Sequence, residues 1–246
     1  DTYEEKVVYA AVDTENGNGL EIMMMNPDGS GIKYLSKHPD NDYSPCPSPN
    51  GDQIAFISER DGGREIYIMD RDGSSVRRAT RDNYFDRLYS QCWSPDGKHI
   101  VYTSERNSKT VMVVITPYNQ DVIETHYQRE FIVPIPELSN INGPAWSPSG
   151  DRIVFATGRE SIGGRIATIN IDGTGIEYLT SERNQKLMYP TWYQKPGQST
   201  FKILFVENKY PQGSKISVIN GNGANKLPII NYLDSDSEYM DHQYPS

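Results

Sequence analysis

The string Trp93-Ser94-Pro95-Asp96-Gly97 recurs along this chain in eroded copies, each followed by a strand-like run. The other copies are Pro47-Ser48-Pro49-Asn50-Gly51, Trp146-Ser147-Pro148-Ser149-Gly150 and Trp192-Tyr193-Gln194-Lys195-Pro196-Gly197. Their first residues lie 46, 53 and 46 positions apart, the period of a four-stranded propeller blade, about 40–50 residues. A repeat of this length decides the architecture before any local assignment is made, because each unit buries its apolar face only against its neighbours. It also weights function toward presenting a surface.

Residues 43–80 show the unit. Residues 43–49 read as a short strand ending in a Pro-Asn-Gly turn, and Ile54-Ala55-Phe56-Ile57-Ser58 as a buried strand. Asp61-Gly62-Gly63 breaks the run, and Glu65-Ile66-Tyr67-Ile68-Met69-Asp70 is a third strand. Arg71-Asp72-Gly73 is a hairpin turn of the Asp-Gly kind, and residues 76–80 are an outer strand of alternating polarity. Second strands are expected at 7–12, 100–104, 153–157 and 203–206. Third strands follow at 21–25, 111–116, 165–170 and 215–220, and fourth strands include 32–35 and 176–180.

The first repeat begins at its second strand. The final stretch His242-Gln243-Tyr244-Pro245 resembles Met188-Tyr189-Pro190-Thr191, which leads into Trp192. The expected fold is therefore all-β: a five-bladed β-propeller of four-stranded antiparallel blades, spanning residues 1–246 as one domain. Its ring would close when the C-terminal strand joins the N-terminal blade and removes the open edge. A six-bladed ring lacking one copy is the alternative.

Composition fits short half-buried strands and tight turns, with 36% hydrophobic residues, 17 Tyr, 20 Gly and 16 Pro. The formal net charge of −9 repels phosphate backbones, which argues against nucleic acid. No apolar run approaches the roughly 18–20 residues that span a bilayer, so no membrane insertion is expected. The chain starts at Asp1 with no signal-peptide pattern, which fits a processed chain and a trimmed one equally. Cys46 and Cys92 both precede the Trp position, a slot that Ala145 and Thr191 fill in later copies. A small buried side chain suits that slot, so both are expected to pack as free thiols. Equivalent slots on neighbouring blades are expected to exceed the roughly 7 Å between Cα atoms that a disulfide tolerates.

Trp-Ser-Pro-Asp-Gly, then an apolar strand, then Ser-Glu-Arg, then Glu65-Ile66-Tyr67-Ile68-Met69-Asp70-Arg71-Asp72-Gly73 resembles the WD40-like repeats of TolB-type propellers across most of 7–246. That resemblance implies the propeller fold and extracytoplasmic binding work. The wider group includes periplasmic Tol–Pal scaffold proteins, propeller domains of prolyl-oligopeptidase-type peptidases and metal-dependent oligogalacturonate lyases. The chain has no Gly-x-Ser-x-Gly nucleophile elbow.

Loops joining one blade's outer strand to the next blade's inner strand surround one mouth of a propeller channel, and here they are rich in Tyr. Such aromatics bury large area at small entropic cost, and each also suits packing between blades. Tyr43, Tyr89, Tyr189 and Tyr244, with Asp42, Asp86 and His242, are the expected partner-binding residues. The segment Asp234-Ser235-Asp236-Ser237-Glu238 fails as a calcium loop, since Tyr239 stands where that loop needs Gly. It is read as a solvated acidic loop that makes the mouth negative. Ser58-Glu59-Arg60 and Ser104-Glu105-Arg106 recur by blade and are read as Arg–carboxylate bridges between neighbours.

The expectation is a monomeric, non-enzymatic propeller module, periplasmic or secreted, with no cofactor and no metal. It would bind a protein or peptide at a Tyr-rich, acidic channel mouth. The alternative is a metal-dependent carbohydrate-active enzyme, similar to an oligosaccharide lyase, using His38 and His242 in the channel.

Overall fold

The computed structural model describes residues 5–12, 19–80, 84–88, 92–107, 109–116, 131–132, 141–159, 163–181, 186–194, 199–209 and 213–230. These residues are strands and turns with no helix, arranged in five antiparallel sheets. The chain divides into two compact units, Asp1–Ser108 with Val113–Phe131, and Lys109–Met112 with Ile132–Ser246.

In the first unit, β1 (Val7–Val12), β2 (Leu20–Met25) and β3 (Lys33–Tyr34) form a three-stranded sheet in that order. Next come β4 (Asp42–Pro47), β5 (Gln53–Ser58), β6 (Glu65–Asp70) and β7 (Arg77–Arg78), a four-stranded meander. The third sheet holds β8 (Phe85–Arg87), β9 (Ile100–Arg106), β10 (Lys109–Ile115) and β11 (Phe131–Ile132), and the boundary between the units falls within it. The second unit contains two more meanders. One is β12 (Ile141–Trp146), β13 (Arg152–Arg159), β14 (Gly163–Asn170) and β15 (Glu177–Tyr178). The other is β16 (Lys186–Gln194), β17 (Phe201–Lys209), β18 (Gly213–Asn220) and β19 (Leu227–Ile230).

The middle strands are buried on both faces, as β5 and β6 show in nearly every residue. That explains why Ile, Val, Phe and Tyr run together there without a polar alternation. Within the first unit, Ile22, Leu35, Ile54, Phe56, Tyr67 and Met69 form one cluster between the first two sheets. Within the second, Ala145, Val154, Ile166, Leu179, Ile203 and Phe205 belong to its counterpart, against which Trp192 packs.

Two contacts repeat from blade to blade. The indole of Trp93 donates to the Cys46 carbonyl at 2.9 Å, and that of Trp192 donates to the Ala145 carbonyl at 3.3 Å. Trp93 and Trp192 thus satisfy their N–H on the small-residue slot of the preceding blade. The turn glycine reaches back in the same direction. A Cβ on Gly73 (φ 91°) would meet the Leu35 carbonyl at 2.5 Å, and one on Gly223 (φ 81°) would meet the Leu179 carbonyl at 3.0 Å. Positive φ and close backbone approach both require glycine at these turns.

The small-residue slot corrects one expectation. Cys46 and Cys92 are joined by a disulfide, with Cα atoms 6.4 Å apart and 46 residues between them in sequence. Neither is a free thiol. The slots of these adjacent blades sit within disulfide reach, and the Trp93 indole bridges them at the Cys46 carbonyl.

Inner strands share a second device. Register slips between Tyr43 and Cys46 in β4, between Asn142 and Ala145 in β12, and between Met188 and Thr191 in β16. At each slip one residue takes a left-handed conformation: Ser44 (φ 52°), Gly143 (φ 58°) and Tyr189 (φ 52°). This is a β-bulge, which bends a strand and re-aims its side chains.

Candidate functional site

One edge of the second sheet gathers the N-terminal end of β4, the C-terminal end of β5 and the N-terminal end of β6. Asp42 pairs with Ser58, and Ser58 with Glu65, across these strands. In the third sheet Asp86 pairs with Ser104 in the same manner. The two Ser-Glu-Arg strings therefore lie at equivalent points of adjacent blades, each beside an inner-strand aspartate.

Asp42 is fully buried and accepts from the Arg60 guanidinium at 2.9 Å. Arg60 Nε also donates to Ser58 Oγ at 2.8 Å, and the guanidinium lies 4.7 Å from the Tyr67 ring centroid. The bridge therefore runs within one blade, from the loop after β5 back to β4, and not to the neighbouring blade as expected. Beside it, Arg78 pairs with buried Glu65 at 2.7 Å and with Asp61 at 3.1 Å. The Tyr67 hydroxyl donates to Asp61, which holds that carboxyl below the ordinary range. Burial and that same bond push the Tyr67 hydroxyl up. Thr80 closes the network by donating to Glu65 at 2.7 Å and accepting the Ile66 amide at 2.9 Å. Buried charges that are paired and hydrogen-bonded in this way fix geometry more than they add stability.

Tyr43 stands on the outer side of this network. Its hydroxyl donates to Glu59 at 3.3 Å, and burial raises its pKa to about 12 against the opposing field of Arg64. Glu59 is held low, chiefly by the Asn41 amide at 2.9 Å, with Arg64 at 3.2 Å and Tyr43 adding to it. Arg64 then reaches the next blade: its carbonyl accepts the Asp86 amide at 3.1 Å, and its guanidinium sits 5.7 Å from the Phe85 ring. Phe85 is 54% exposed. Arg87 pairs with Glu105 at 2.6 Å on the same strand pair, and Arg106 lies 5.0 Å from the Tyr84 ring.

The structure thus brings together Tyr43, Asp42 and Asp86 among the expected residues. Both aspartates are buried; the Asp42 carboxylate anchors the Arg60 guanidinium, and the Asp86 amide is bound by the Arg64 carbonyl. Tyr189 lies in the second unit, 40% exposed at the bulge of β16. Tyr89, Tyr244, His242 and the acidic stretch 234–238 lie outside the described residues. Reading the sequence missed Glu59, Arg64 and Phe85 as one group. Ser-Glu-Arg recurs in two blades, which masked the Glu as scaffold, whereas Arg64 and Phe85 belong to a single blade each.

The rim is suited to recognition. It offers an exposed ring, a tyrosine edge and guanidinium and carboxylate groups held by their neighbours, so little freedom is lost when a partner docks. Among the described residues no three His, Cys, Asp or Glu side chains converge as a metal site. His38 Nδ1 lies 3.5 Å from Asp40, and His99 Nδ1 lies 3.1 Å from the Thr116 hydroxyl.

The comparisons with known proteins agree with this architecture. TolB from Acinetobacter baumannii superposes with a TM-score of 0.70 at 16% identity, covering 92% of this chain and 53% of that one. The chain therefore spans little more than half of that protein. A putative TolB from Agrobacterium tumefaciens gives 0.67 at 19% identity, covering 92% and 81%. An oligogalacturonate lyase in complex with manganese gives 0.63 at 12% identity, covering 91% and 61%. Identities this low establish a common fold and nothing finer. No curated protein matches the chain by sequence. The sequence profile of the TolB beta propeller domain matches residues 5–196. By that match, and by the repeated sheets that bear it out, the chain belongs to the TolB beta propeller domain family.

Proposed function

We propose that the chain is a non-enzymatic binding module that engages a protein or peptide through the rim formed by Tyr43, Glu59, Arg64 and Phe85. The observation behind this reading is Phe85, an exposed ring held under the Arg64 guanidinium and beside a hydrogen-bonded Tyr–Glu pair. Arg and aromatic side chains dominate interface energetics, and a cluster ordered before docking loses little entropy. The acidic tail and Tyr244 would complete the mouth, with the tail strand joining the first sheet to close a five-bladed ring.

An extracytoplasmic site of action fits the Cys46–Cys92 disulfide, since such bonds persist in oxidising compartments. Among the described residues no helix is long and apolar enough to cross a membrane. Affinity capture from the source cell's envelope, with wild type beside Phe85→Ala and Arg64→Ala, tests the reading. A specific partner should be depleted by both variants while the thermal midpoint stays unchanged. Identical capture by all three proteins would refute the rim. Elemental analysis of the purified chain separates this reading from a metal-dependent lyase, which requires a stoichiometric ion.

A further inference from the structure

The fifth sheet departs from the repeat at one corner, and a cleft of about 390 Å³ opens there within the second unit. The cleft lies at the end of the fourth and fifth sheets that carries the turn after the inner strand. In the second and fourth sheets the residue after the turn glycine is Asp52 or Asp151, whose carbonyl accepts the amide of Arg71 or Ile171 at 2.8 and 3.2 Å. In the fifth sheet the same bond, 2.9 Å long, joins Gly221 to Phe201. An aromatic ring has replaced the carboxylate, and a glycine has replaced a side chain.

Both changes shape the cleft. A Cβ on Gly221 would lie 3.4 Å from Trp192 Cζ3, so any larger side chain there would spread over the indole. Phe201 stands perpendicular to Trp192, with ring centroids 6.4 Å apart. The polar wall is also altered. In earlier turns the Asn amide is occupied: Asn26 donates to Ser30 Oγ at 2.9 Å and Asn170 to Thr174 Oγ1 at 3.1 Å. Ala224 removes that hydroxyl, leaving the Asn220 carboxamide without a side-chain partner among the described residues while it lines the cleft. Asn222 uses Oδ1 on the Ala224 amide at 3.1 Å, so its NH2 group remains to donate. Across the cleft, one Asp151 oxygen accepts from Ser147 at 2.9 Å and from Ser149. Its other oxygen carries no such bond. Arg152, also in the lining, pairs with Glu177 at 3.3 Å, while its buried Nε has no partner among the described residues.

We propose that this cleft binds a neutral pyranose sugar, its C–H face against one of the two perpendicular rings of Trp192 and Phe201 and its edge against the other, with its hydroxyls on Asp151, Asn220 and Asn222. A volume near 390 Å³ lies at the small end of ligand pockets, about 300–1,000 Å³. Apolar rings with a few convergent polar groups give orientation and specificity. The Asp151 carboxylate disfavours an acidic sugar beside it, and the Arg152 Nε can donate to a sugar hydroxyl. The site is independent of the rim.

The test is titration of the intact chain with methyl glucoside, methyl galactoside, methyl mannoside and galacturonate, read by calorimetry and tryptophan fluorescence. At least one neutral glycoside should bind saturably in the millimolar range, with galacturonate weaker by about tenfold. Gly221→Ile installs the side chain of the fourth sheet at that position and should weaken binding at least about tenfold. Asn222→Asp restores the residue of the first, second and fourth blades' turns (Asp28, Asp72 and Asp172) and keeps the Oδ1 acceptor that holds the Ala224 amide. It should weaken binding as well, whether or not Gly221→Ile folds. The proposal is overturned by no saturable binding of any neutral glycoside, by galacturonate binding as well as they do, or by full affinity in either folded variant.

Discussion

Ser94 Oγ accepts the His99 amide at 2.9 Å and donates to Asp96 at 2.5 Å. Ser48 and Ser147 hold the same station, accepting the amides of Gln53 at 3.0 Å and Arg152 at 3.1 Å. All three serines are buried, and removing the hydroxyl takes the acceptor from a part-buried amide. Ser94→Ala should destabilise the chain by about 0.5–1.5 kcal/mol, read as a lower urea midpoint at unchanged slope; an unchanged midpoint would discard this role. The turn itself was legible from Pro-Asp-Gly, but the serine's part was not, because its partner lies five residues on across the hairpin. Tyr43 supplies a second residue-scale test. Its folded pKa of about 12 stands above the usual 10, so the folded chain keeps a proton that the unfolded chain gives up. That contribution is whole below pH 10 and fades as pH rises toward 12. Over that interval wild type should lose more stability than Tyr43→Phe. Parallel losses in the two proteins would show that Tyr43 is not shielded.

At the scale of elements, strands were legible because apolar runs and Gly-containing turns alternate at blade period: β1 and β6 fall where the pattern puts them, and β5 differs by one residue. Contacts between blades were not legible. Nothing within one repeat reports that the slots of Cys46 and Cys92 lie with Cα atoms 6.4 Å apart, so the sequence alone reads as two separate thiols. Cys46→Ala should cost about 2–5 kcal/mol. Alkylation of the unfolded chain before reduction should add nothing, and after reduction should label both cysteines. Labelling without reductant would remove the staple. Gly73→Ala forces a Cβ toward the Leu35 carbonyl at positive φ and should destabilise by about 1–3 kcal/mol. The same change at Gly51, which also has positive φ but nothing within 4 Å, should act through backbone strain alone and cost less. Equal costs would mean that the approach between the first two sheets is not tight.

For the whole molecule, the repeat period foretold a propeller, and the sheets and family membership agree with it. Ring closure rests on the tail 231–246, which lies outside the described residues. The rim was half legible: Tyr43, Asp42 and Asp86 fall in the loops between blades that the repeat period marks out. Arg64 and Phe85 did not, since their meeting depends on how one blade's loop overlies the next blade's first strand. Its function is most directly tested by hydrogen exchange on the chain with and without the partner obtained by envelope capture. Protection gained at residues 41–43, 59–64 and 84–87 is the predicted result. Protection confined to the opposite edge, at residues 48–52 and 71–74, would contradict the account.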